Sequence, residues 1–122
     1  MPIFFKNKRI AGYIRTGLTM DIDETQATWL HHKDSRYAAC ALGMAIVGKL
    51  GLWKGHVIFI ETLLRNGEDE IQTVSDMLEV DPLLVEEINK IHMLGVPAIE
   101  IAECLEFEEG IDQFDSSFSA VF

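Results

Sequence analysis

Residues 37–47, YAACALGMAIV, form the longest apolar run, which Lys49 stops. A helix that is apolar on every side has no face to offer water, so it belongs at the centre of a fold with other elements packed around it. The run and its flank are rich in small residues: Ala38, Ala39, Ala41, Gly43, Ala45 and Gly48. Small side chains let neighbouring backbones approach closely. The two interior glycines cost about 1 kcal/mol each relative to alanine, and close packing is the compensation. Asp34 reads as the N-cap of this helix, which then runs to about Leu50 and stops at Gly51.

The other elements must cover that core. Ile10, Tyr13, Ile14 and Leu18 fall at helical spacing within 8–19. Residues 20–33 read as a long connection with one turn near Gln26 to Leu30. Residues 55–66 fit both periods: Val57 to Ile60 suggests a strand, whereas Phe59, Ile60, Leu63 and Leu64 suit a helix. Helix is preferred, because no second strand offers itself for pairing. Ile71, Val74 and Leu78 make another helical stripe. Asp81-Pro82 is an N-cap followed by proline at the first helical position, with Val80 placed to staple onto Val85. Leu84, Ile88 and Ile91 continue inward until Gly95, and Pro97 opens a last helix with Ala98, Ile101, Ala102 and Leu105 inside. The pattern predicts a mainly α fold: a compact bundle of about five helices around the Ala/Gly-rich central one. It predicts a single helical domain over 1–107 and an acidic, Phe-rich C-terminal tail over 108–122.

A chain of 122 residues with 48% hydrophobic content can bury a core. No stretch is apolar for the eighteen or so residues that a spanning helix needs. Met1 to Phe5 is too short for a signal peptide, so a cytoplasmic protein that does not engage a membrane is expected. Cys40 and Cys104 both lie in apolar helical patterns and are expected as buried free thiols. The net charge of −10 is unevenly spread. Residues 1–60 hold eight Lys/Arg and four Asp/Glu; residues 61–122 hold two Lys/Arg and sixteen Asp/Glu. No Lys or Arg follows Lys90. Such an acidic half repels phosphates and suits a basic protein surface, although charge of this size also simply keeps a small protein soluble. The carboxylates expected to meet such a partner are Glu86, Glu87, Glu100, Glu103 and Glu106, on the outer faces of the last helices.

Catalytic readings are thin. Cys40 with His31 or His32 as base would be a nucleophile pair, but a reactive thiol needs an electropositive, partly exposed setting, and Ala39-Cys40-Ala41-Leu42 argues for burial. His31 and His32 with Asp21, Asp23 and Asp34 could hold a metal. Adjacent side chains on an extended segment point opposite ways, however, and no zinc spacing is present. Asp21-Ile-Asp23-Glu24 lacks the glycine and the closing glutamate of a calcium loop. Ile101-Ala102-x-x-Leu105 resembles the first helix of a helix-turn-helix, yet the acids that follow it exclude direct nucleic-acid binding there. No phosphate-binding spacing surrounds Gly43 or Gly48, and no cofactor is expected. Trp29 and Trp53 flank the central helix. Each is expected to cover an end of the core, the alternative being an exposed interface anchor.

Three segments, RIAGYIRTGLTM, RYAACALGMAIVG and VEEINKIHMLGVPAIEIAECLE, carry a resemblance in this order. Together they resemble a group of small uncharacterised bacterial and phage helical proteins with a first helix of the type AIRxGA. In that group a Cys-Ala-Leu-Gly helix follows, and an Ile-xx-Leu-Asn … Ile-Ala-xx-Leu pattern closes the chain. Here Ile88-Asn89 stands for Leu-Asn, and Lys90 replaces the acid that follows in the group. The resemblance implies a small helical domain and transfers no activity or site residue. The reading is therefore a small non-catalytic helical protein-interaction module. One alternative is an acidic charge-based inhibitor or nucleic-acid mimic acting on a basic protein surface. Another is an enzyme using Cys40 or a His31/His32 site.

Overall fold

The computed structural model describes residues 5–106 and 111–112, and it is mainly helical. After a two-residue strand β1 (Phe5–Lys6) comes helix α1 (Lys8–Leu18), capped by the Asn7 side chain, which accepts from Ile10 N at 3.0 Å. The acidic half supplies α4 (Glu70–Leu78), α5 (Pro82–Met93) and α6 (Ala98–Glu106), close to the predicted stretches. Asp69 and Asp81 cap α4 and α5 with their side chains, and Pro82 opens α5. Val80 is half-buried and packs on the core that includes Val85. Beyond α6, Ile111–Asp112 (β5) pairs in parallel with β1. The expected tail over 108–122 otherwise lies outside the described residues.

The segment before the central helix departs from expectation. Residues 20–39 hold three short strands: β2 (Ile22–Glu24), β3 (Leu30–Lys33) and β4 (Arg36–Ala39), in the order β2-β4-β3. β4 runs parallel to β2 and antiparallel to β3. Asp34 is thus not a helix cap. With Ser35 it forms the two-residue turn of a hairpin, both at positive φ (55° and 66°), the backbone that matches the twist of paired strands. Ala38 and Ala39 favour helix locally, but the hairpin pairs His32 with Tyr37 and His31 with Ala38. The central helix α2 starts later, at Ala41, and runs to Leu50 with Cys40 at its N-cap. Counting α3 (Leu52–Arg65), the described residues form six helices, a small three-stranded sheet and the β1–β5 pair, rather than about five helices alone.

α2 sits where its composition predicts. Every residue from Ala41 to Val47 is buried. Its glycines mark the points of closest approach. A Cβ on Gly43 would collide with the carbonyl of Trp29, and one on Gly48 with the carbonyl of Tyr13. On the facing helix, a Cβ on Gly17 would strike the carbonyl of Met44. α1 and α2 therefore touch backbone to backbone. Gly51, at φ +94°, then lets the chain turn by 113° into α3. That turn carries α3 out of the core and onto the surface.

Candidate functional site

α3 is helical throughout, so the ambiguous stretch over 55–66 resolves as helix. Its sequence has two apolar stripes. Gly55 and Phe59 are buried, and Leu52, Ile58 and Leu63 pack against the same core. The second stripe faces outward: Trp53 is 71%, Ile60 39% and Leu64 67% exposed, with half-buried Val57 between them. The spacing 53, 57, 60, 64 lines these four up along one side of the helix. Trp53 thus does not cover an end of the core as expected. Trp29 is half-buried and packs against it. The signal for the outer stripe was present, because α3 carries more apolar residues than one face can bury, but which stripe would be covered depends on how the helix leaves Gly51.

Along one edge of the stripe run exposed Lys54, Glu61 and Arg65. Along the other, His56 meets the hairpin. His32 and Tyr37 stack with ring centroids 4.1 Å apart, and His56 lies edge-on to His32 at 5.8 Å. Partial burial, reinforced by the nearby His32 and His31, holds the His56 imidazole below its ordinary value. Among the described residues no three His, Cys, Asp or Glu side chains gather closely enough to hold an ion.

Cys40 is buried at the start of α2. Burial pushes its thiol up, although the N–H groups of Gly43 and Leu42 pull the other way. Desolvation therefore outweighs the helix terminus, leaving a poor nucleophile. His31 and His32 lie on opposite sides of β3, facing Ala38 and Tyr37. Cys104 is half-buried, and burial together with Glu100 and Glu103 raises its thiol.

Glu86, Glu100 and Glu103 are exposed, whereas Glu87 and Glu106 are half-buried. Glu106 is engaged within the chain: Arg15 Nε and Nη2 donate to its two oxygens at 2.8 and 2.7 Å, and that pairing holds its carboxyl below the usual range. It is the weakest of the five candidates for an external partner.

A third place went unnoticed in the sequence. Glu24, at the end of β2, accepts from Ala98 N at 2.9 Å at the start of α6 and lies 2.7 Å from His92 Nε2. A carboxylate oxygen only accepts, so Nε2 is the donor. His92 is 1% exposed, and its Nδ1 is buried without a partner among the described residues. Gln26 Nε2 donates to the His92 carbonyl at 2.7 Å. The open cleft over this group, lined by Glu24, Gln26, His92 and Pro97, measures about 430 Å³. His92 follows Ile88 by four residues on the inner face of α5, and a histidine at an inward position was the legible sign of a buried polar tie. Joining the end of β2 to α5 and to the start of α6, the arrangement braces the sheet against the helices.

Among the described residues no single helix is long and apolar enough to cross a membrane. No protein-family model, no curated protein and no solved structure matches this chain.

Proposed function

We propose that this chain is a small helical protein-interaction module without catalytic activity, which docks through the outer stripe of α3. The observation that carries the reading is the exposure of Trp53, Ile60 and Leu64 on one side of a helix whose opposite side already packs against the core. Isolated exposed apolar residues are ordinary on any surface. A tryptophan and two aliphatics aligned on one helix make a contiguous patch, and such patches favour protein contacts. The buried, raised thiol of Cys40 weighs against nucleophilic catalysis. A second reading, an acidic inhibitor of a basic surface, is favoured by the exposure of Glu86, Glu100 and Glu103.

Capture from a cell extract at low and high salt, with three forms of the protein, separates the two. On the first reading, capture survives high salt and is lost in Trp53→Ala/Leu64→Glu. On the second, it is lost at high salt and in Glu86→Lys/Glu100→Lys/Glu103→Lys, because exposed charges act over only about 10 Å at 0.1 M salt. Capture that ignores both sets of substitutions defeats both readings.

A further inference from the structure

We infer that the occupant of the α3 stripe is a second copy of the same chain, with the two α3 helices packed antiparallel. This rests on the reading of α3 as a docking face and names its partner. The argument is the placement of charge beside the stripe. A two-fold interface presents one patch to itself, so a patch fit for it must be self-complementary. Lys54 follows Trp53, and Glu61 follows Ile60, so the two charges sit seven residues apart on the same edge of the stripe. When two such helices lie antiparallel, Trp53 of one copy falls opposite Leu64 of the other, and Val57 opposite Ile60. The same-edge positions then meet across the seam, Lys54 against the other copy's Glu61, twice by symmetry. Within the chain both side chains are exposed, and among the described residues neither forms an ion pair. The antiparallel arrangement also sets each helix dipole against the opposite one.

The size of the contact bounds its strength. The 14 residues of α3 span about 21 Å. A contact of that length lies at the small end of specific interfaces, which predicts a reversible dimer of micromolar dissociation constant rather than an obligate one.

Sedimentation equilibrium of the full chain, from low micromolar to near-millimolar concentration, is the test. The expected result is a monomer–dimer equilibrium abolished by Leu64→Glu. Lys54→Glu should weaken it about tenfold, because two attractive pairs become repulsive. Lys54→Glu combined with Glu61→Lys should restore it to near wild type, since both pairs are then rebuilt in reverse. All the substituted positions are exposed, and an unchanged near-ultraviolet spectrum checks that each variant folds. A chain monomeric throughout overturns the inference, as does a dimer indifferent to Leu64→Glu or a double swap that fails to restore association. Trp53-dependent sedimentation with phosphatidylcholine vesicles, without self-association, would assign the stripe to lipid and overturn it too. If the chain is monomeric but extract capture is still lost in Trp53→Ala/Leu64→Glu, only the choice of partner fails. If capture is also unaffected, the docking reading falls with it.

Discussion

The methyl group that alanine adds to glycine has opposite consequences at two positions one helix apart. At Gly43 it would meet the Trp29 carbonyl and the Ala39 side chain, whereas at Gly12 nothing lies within 4 Å. Gly12→Ala should therefore stabilise by about 0.5–1 kcal/mol through helix propensity. Gly43→Leu should destabilise by about 1–3 kcal/mol or more, because backbone cannot move aside as a side chain can. Urea unfolding of the two variants checks both signs, and a neutral Gly43→Leu would mean the α2–hairpin contact is open. Cys40 gives a second residue-scale expectation. Buried and with its thiol raised, it should resist disulfide reagents in the native protein and react on unfolding. Cys104, half-buried on α6, should react first. His56 gives a third. Its folded pKa lies below the 6.5 of a free imidazole, so between the two values the unfolded chain binds more protons. Stability is therefore complete above about pH 6.5 and falls as the pH drops toward the folded pKa. His56→Gln should flatten that slope in urea midpoints measured at successive pH values. An unchanged slope would place the acid sensitivity elsewhere.

At the scale of elements, the β3–β4 hairpin is where local and tertiary preferences part. Asp34 precedes a run of alanines, and aspartate before such a run is the usual start of a helix. Ser35→Gly discriminates between the two conformations. In the hairpin turn, Ser35 holds φ at +66°, and glycine there relieves strain, stabilising the fold by up to about 1 kcal/mol. In the first turn of a helix the same substitution would cost about 0.5–1 kcal/mol. Thermal unfolding reads the sign directly. The cap of α5 behaves as its sequence suggests, and α4 has one of the same kind, since Asp81 and Asp69 need only reach a backbone N–H two or three residues along the chain. α3 is the opposite case. Its two apolar stripes are both visible in sequence with nothing to choose between them, and the 113° bend at Gly51 chooses.

Across the whole molecule, the charge asymmetry between the two halves of the chain is partly consumed in holding them together. Arg9 on α1 donates to the carbonyls of Leu78 and Glu79 at 2.7 and 3.0 Å, at the C-terminal end of α4. Lys49 on α2 reaches the Met77 carbonyl at 2.6 Å and the Glu79 carboxylate at 3.0 Å. Two cations thus satisfy the carbonyls that the last turn of a helix leaves unpaired, where the dipole favours positive charge. Lys49→Met keeps the apolar stem and removes the ammonium. It should cost about 1–2 kcal/mol in chemical denaturation, whereas Lys33→Met, at an exposed end of β3, should cost almost nothing. Equal effects would show that the contact with α4 contributes no more than a surface charge.

The features legible from residues 1–122 alone are those written in neighbours a few positions apart. The buried character of α2, the helical stretches of α1, α4, α5 and α6, and the Asp81 cap all follow from helical period and from side chains that reach their own backbone. These interactions need no knowledge of where the rest of the chain lies. The Lys33–Arg36 hairpin, the outward stripe of α3 and the Glu24–His92 brace did not follow, because each depends on partners distant in sequence. Glu24 and His92 are 68 residues apart, and one acid among Asp21, Asp23 and Glu24 carries no mark of the histidine it will meet. Ala38 and Ala39 become strand because β2 and β3 offer unpaired backbone groups on either side, and pairing with both outweighs a fraction of a kcal/mol per residue in helix propensity. The exposure of Trp53 and Leu64 is likewise set by packing: once Phe59 and Gly55 face the core, the opposite stripe is left to solvent or to a partner.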